Sequence, residues 1–184
     1  MAKVRNNVMV RGLSGSFGDQ MVIKMDKAGR TIVSNKPEFD ENREFTPAQQ
    51  AQQERFRDAR VYAKDAKDLA VYIQKAEGTP KSAANIAMAD WFHPPEIKEI
   101  DISDWHGQIG QTIRVQAIDD VQVKQVNVMI TDENDVILEQ GVAMAEEGGW
   151  WTYRTTAAAT GNPAVLVSAE DLPGHITELA KSRN

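Results

Sequence analysis

Apolar positions along the chain change period twice. In the first zone they alternate with polar ones. Met21, Ile23 and Met25 flank Val22 and Lys24, which predicts a short strand. The segment Asp26-Lys27-Ala28-Gly29 follows, then Thr31, Ile32 and Val33 within residues 30–35. Asp at the first turn position and Gly29 at the end suit a type I turn closed by a left-handed glycine. The pattern predicts a β-hairpin, and Val8, Met9 and Val10 add a preceding strand.

The second zone has helical spacing. Thr46-Pro47-Ala48-Gln49 reads as a capping box, with Thr46 as N-cap and Gln49 reaching back to it. Ala48, Gln52, Phe56, Ala59 and Ala63 form a narrow stripe along the helix that follows. Leu69, Ala70, Tyr72 and Ile73 continue the pattern after a bend near Asp65, and Gly78 stops it. A second helix is expected from Thr79-Pro80, with Ile86, Ala87 and Trp91 facing inward, and His93-Pro94-Pro95 ends it.

The third zone alternates again. Ile100 and Ile102, then Ile113, Val115 and Ala117, then Val126, Val128 and Ile130 mark successive strands. Residues 136–144, 150–156 and 164–169 and a segment near Ile176 complete seven short strands separated by turn signals. That count in under a hundred residues predicts an immunoglobulin-like β-sandwich. The expected class is α+β, in three zones: a β-rich segment over 1–37, a helical region over 38–95 and a sandwich over 96–184.

The third zone resembles bacterial immunoglobulin-like modules. The residues that carry this are Val115-Gln116-Ala117-Ile118-Asp119-Asp120, the strand 126–130, Gly149-Trp150-Trp151-Thr152-Tyr153, and the run 167–174 ending in Asp171-Leu172-Pro173-Gly174. His175 stands where such modules usually carry asparagine. The resemblance implies a fold and leaves function open. The first half is similar to a group of bacterial proteins with a glycine-punctuated hairpin followed by a T-x-x-Q helix, here Thr46, Gln49, Gln52 or Gln53, and Phe56. Some of that group look like parts of phage-like or other large assemblies, which implies a structural role.

Composition narrows the chemistry. The chain has 184 residues, 41% of them hydrophobic, which supports a packed core. It has no cysteine, which removes disulfides, thiolate nucleophiles and cysteine-ligated zinc. The first fifteen residues lack the apolar run of a secretory signal, so synthesis in the cytoplasm is expected, with release as part of a particle as one further route. No membrane span is expected. Gly12, Gly15 and Gly18 do not form a phosphate loop, because a strand rather than a helix follows them. His93, His106 and His175 lack metal-ligand spacing, and the serines lack a nucleophile elbow. No enzyme and no cofactor are expected.

Charge is uneven. The net −6 divides into +5 over residues 1–37, −2 over 38–78, zero over 79–95 and −9 over 96–184. A basic head and an acidic end attract one another within a chain or between chains. A nucleic-acid contact through Lys3, Arg5, Arg11, Lys24, Lys27 and Arg30 is disfavoured, because the acidic remainder repels phosphate.

Two constellations stand out. The strand count puts Asp119-Asp120, Glu146-Glu147 and Glu170-Asp171 at one end of the sandwich. Calcium favours such oxygen sets, with Asp119, Asp120 and Asp171 as its candidate ligands; the alternative is that Asp119 and Asp171 accept loop amide hydrogen bonds. In the strand at 150–156, Trp151 and Tyr153 facing the core would turn Trp150, Thr152 and Arg154 outward. Trp150 beside Arg154 then reads as a protein interface, as a sugar-stacking platform, or as a residue buried under the helical zone. The expected function is a structural subunit that self-assembles through Met21, Ile23, Met25 and Arg30 on one side and Trp150 and Arg154 on the other. Its partners are copies of itself or other particle subunits. The alternative is a ligand- or carbohydrate-binding module.

Overall fold

The computed structural model describes residues 2–4, 12–18, 20–26, 28–36, 38 and 44–183. Among the described residues the architecture is α+β: three α-helices and three antiparallel sheets. The head sheet contains β1 (Ala2–Val4), β2 (Gly15–Phe17), β3 (Met21–Met25) and β4 (Thr31–Asn35) in the order β1-β4-β3-β2. The expected hairpin is β3–β4, with Met25 opposite Thr31. Gly29 adopts φ +72°, and the Asp26 carboxylate accepts from the Arg30 amide and side chain at 2.9 and 2.6 Å, which closes the turn. The strand expected at Val8 to Val10 lies outside the described residues.

Helix α1 (Pro47–Ala66) starts at the expected capping box: Thr46 Oγ1 accepts from the Gln49 amide, and the Gln49 side chain accepts from the Thr46 amide. Its stripe is buried only in the C-terminal half, at Ala59, Ala63 and Ala66; Phe56 is exposed and stacks on Phe92. Helix α2 (Ala70–Ala76) follows a break at residues 67–69. Helix α3 (Ala83–Asp90) begins three residues later than the expected Thr79-Pro80 start. Ser82, not Thr79, is the N-cap, because its side chain reaches the Asn85 amide while Thr79 closes the preceding turn onto Ala76. Among the described residues no helix is long and apolar enough to cross a membrane.

Eight strands form the sandwich: β5 (Glu96–Asp101), β6 (Thr112–Ile118), β7 (Val123–Thr131), β8 (Ile137–Val142), β9 (Met144–Ala145), β10 (Trp150–Arg154), β11 (Ala164–Asp171) and β12 (Ile176–Ser182). One sheet runs β5-β6-β10-β9 and the other β12-β11-β7-β8. These are the A-B-E-D and G-F-C-C′ orders of an immunoglobulin-like sandwich. Ile113, Val115 and Ala117 from one sheet meet Val126, Val128, Ile130, Val165, Val167 and Ala169 from the other in a core almost closed to solvent.

Two local departures have physical causes. Ile97 and Ile100, three apart, both face the core, because a bulge between Ile97 and Glu99 resets the alternation. Residues 136–144 do not form one strand. The chain stays paired to β7 through Val142 and the amide of the buried Ala143, which donates to Val126 O at 2.8 Å, and then pairs Met144 with Thr152 on the opposite sheet. That crossing turns the expected seven strands into eight.

Candidate functional site

Directly paired residues in an antiparallel sheet share a face. One face of the head sheet therefore carries Phe17, Met21, Ile23, Met25, Val33 and Thr31. Ile23 and Thr31 are buried at its centre. Phe17, Met21 and Met25 surround them and stay 56%, 40% and 52% exposed. Met21 and Met25 are thus exposed, whereas Ile23 is buried and Arg30 pairs with Asp26. Among the described residues, no strand of this sheet packs substantially on a helix or a sandwich strand.

The outer face of the β6–β10 pair holds the second expected patch. Tyr153 is buried and Trp151 packs on the core, so Trp150, Thr152 and Arg154 point outward. Arg154 is exposed, while Trp150 is half-buried beneath Arg114, whose guanidinium lies 4.6 Å from its ring centroid. Glu146 accepts from Thr152 at 2.5 Å and pairs with Arg114 at 3.7 Å. The patch is a small internally satisfied network.

A third surface escaped the sequence reading. Exposed apolar residues collect along β8 and β9 and the turn before them: Val136, Ile137, Val142 and Met144, the last 77% exposed. Carboxylates flank the strip, from Asp132, Glu133 and Asp135 on one side to Glu146 and Glu147 on the other. β8 and β9 are edge strands of their sheets, so their outer backbone groups lack a ladder partner. The signal was present in the sequence, but a run assumed to be one continuous strand hid its place at two edges.

At the loop end Asp119 and Asp171 accept loop amide hydrogen bonds, the alternative weighed against a calcium site. Asp119 Oδ2 accepts from the Val121 and Gln122 amides, at 3.0 and 3.3 Å. Asp171 accepts from the amides of Gly174 and His175, at 2.7 and 2.6 Å, and meets His175 Nδ1 at 2.8 Å. Asp120 is exposed and pairs with His93. Among the described residues no three acidic, histidine or cysteine side chains are placed to hold a metal ion. Instead the helical unit docks here: Val121 and Leu172 pack against a cluster of Ala63, Ala66, Tyr72 and Ala87, and Trp91 meets the His175 ring edge-on at 5.4 Å.

No family model matches the chain, and no curated protein does. Solved structures similar to it include CopC from Methylosinus trichosporium OB3b, at 15% identity and TM-score 0.37 over 48% of this chain and 89% of that one. A conjugative transposon lipoprotein from Bacteroides eggerthii is similar at 14% identity and TM-score 0.27, covering 49% and 94%. A lipoprotein from Bacteroides thetaiotaomicron is similar at 18% identity and TM-score 0.29, covering 50% and 78%. The sandwich assignment rests on the strand order described above.

Proposed function

We propose that this protein is a non-catalytic structural subunit, built on a bacterial immunoglobulin-like module, that associates head to tail with copies of itself. The observation that carries the reading is the unpaired apolar face of the head sheet. A four-stranded sheet is stable when one face is covered by another layer. Among the described residues no helix or sandwich strand forms such a layer over Phe17, Met21 and Met25, which stay exposed. The β8–β9 strip of a second copy is its complement. That strip offers Val136, Ile137, Val142 and Met144 among carboxylates, and the head segment carries +5 against −9 on the sandwich segment. Unlike surfaces meet in such a contact, so it propagates into rings or filaments rather than stopping at a two-fold dimer.

The alternative, a carbohydrate- or ligand-binding module centred on Trp150, has less behind it. Arg114 already occupies a stacking position on that ring. Sedimentation velocity at low and high salt tests the assembly. A head variant (F17S/M21S/M25S) and an edge variant (I137S/V142S/M144S) should each stay monomeric alone. Mixed, they should form a complex that stops at two chains, because one working head meets one working edge. Undiminished association of both variants alone would overturn the reading.

A further inference from the structure

Where the helical unit meets the sandwich, the contact is sealed by a chain of polar groups. On α1 and α2, the Tyr62 and Tyr72 hydroxyls lie 2.7 Å apart. Tyr72 donates to Asp90 Oδ2, at the end of α3, at 2.5 Å. With that proton committed, Tyr62 donates to Tyr72. Asp90 is 1% exposed, and its other oxygen, Oδ1, has no hydrogen-bond partner. Across the seam, Asp119 spends Oδ2 on the two amides of its turn, and its Oδ1 is likewise buried and unpartnered. The Asp90 and Asp119 carboxyl groups lie within hydrogen-bonding reach of each other.

Two neighbouring carboxylates, each with one buried and unpartnered oxygen, repel if both are ionised. One proton between them satisfies both orphans and turns the repulsion into a charge-assisted hydrogen bond. We propose that Asp90 and Asp119 share a single proton, and that this proton latches the helical unit onto the loop end of the sandwich.

The surroundings favour the protonated pair. From α2, Tyr72 donates to Asp90, while Lys75, which lines the same cavity as Asp90, donates to the Asp120 carbonyl. From the loops of the sandwich come Asp119 and Asp120, and Asp171 with its bonded His175. His93, after α3, pairs with Asp120 on the exposed side. Burial is the largest influence on Asp90 and outweighs the Tyr72 hydrogen bond; with the Asp119 and Asp171 charges it pushes the carboxyl up to about 6. An unfolded or undocked Asp titrates near 4. The docked state therefore holds a proton that the undocked state releases. The latch is fully closed below about pH 4, and its stabilisation is lost as pH rises through about 6.

The test combines carboxyl-carbon NMR titration of the full chain with thermal melts from pH 4.5 to 8, following Trp91 fluorescence. The wild type should show the Asp90 carboxyl titrating near 6, with the Asp119 carboxyl carbon responding in the same step, and a melting point lower at pH 7.5 than at pH 5 by about 4 °C or more. In Asp90→Asn or Asp119→Asn a permanent amide donor replaces the shared proton. Each should fold and lose that pH dependence. Imidazoles also change charge in this range, so the comparison is repeated in an H93Q/H175Q background, where the Asp-dependent part should persist. Titration of Asp90 below pH 4.5 with no matching response at Asp119, an unchanged pH dependence in both Asn variants, or its loss in the histidine background would each overturn the proposal. So would calcium at millimolar concentration abolishing the wild-type dependence, since the pair would then hold a cation.

Discussion

The sandwich and the head are both built from four-stranded antiparallel sheets with apolar residues on one face. In the sandwich each sheet is the other's second layer, and Ile113, Val115, Val126, Val128, Ile130, Val165 and Val167 reach zero exposure. In the head no second sheet lies among the described residues, and only Ile23 and Thr31 are buried among its described side chains. The same local pattern thus yields a finished core in one place and an unfinished one in the other. The difference is whether the described residues include a covering layer.

Truncating Ile130 to Ala should have the largest effect. It opens a cavity in a fully packed site and should cost about 2–5 kcal/mol, read as a lower global melting transition. Ile23→Ala should leave that transition in place and change only the signals of the head. A shared loss in both variants would mean that the two regions fold as one unit.

Gly107→Ala comes next. Gly107 sits at φ +84°, and a Cβ there would lie 2.1 Å from the Ala159 carbonyl oxygen, which belongs to backbone and does not swing away. A loss of about 2 kcal/mol or more is expected in denaturant melts, from clash and left-handed strain together. Tyr72→Phe should cost about 1–3 kcal/mol, because it strips a buried hydrogen bond from Asp90 and leaves Tyr62 without its acceptor. Its effect should fall on the helical unit, seen as faster amide exchange in α2 and α3 with the sandwich strands still protected.

The smallest effect belongs to the head. The amide and side chain of Arg30, led by the backbone hydrogen bond, hold the Asp26 carboxyl below its ordinary value. Because the folded value is depressed, the turn's stabilisation is present above about pH 4 and lost as pH falls below it. Asp26→Asn should speed amide exchange in β3 and β4 and leave the sandwich melt unchanged.

Much of the fold was legible because its signals are local. The capping box at Thr46, the hairpin around Gly29 and the alternation at 113–117 and 126–130 each depend on neighbours in sequence. Features that depend on distant residues were not legible. Ser82 displaced Thr79 as a helix start because Thr79 was already held by Ala76. The crossing at Ala143 could not be read because nothing in residues 136–144 says that two sheets lie within reach. The carboxylates of the loop end were located in sequence, but their role depended on Asp90. That lone acid in an apolar helix was the available clue, and its pairing with Asp119 spans twenty-nine positions of the chain. The head face was legible as alternating Met21, Ile23 and Met25, whereas the burial of Ile23 beneath its neighbours was not.

The central claim is that the exposed apolar residues of the head sheet are covered by another copy. Sedimentation velocity of the purified full chain across a concentration series at low salt measures this directly. The account predicts species heavier than the 20.4 kDa monomer that grow with concentration, shrink with added salt and vanish in the F17S/M21S/M25S variant. A single 20.4 kDa species at every concentration would contradict it.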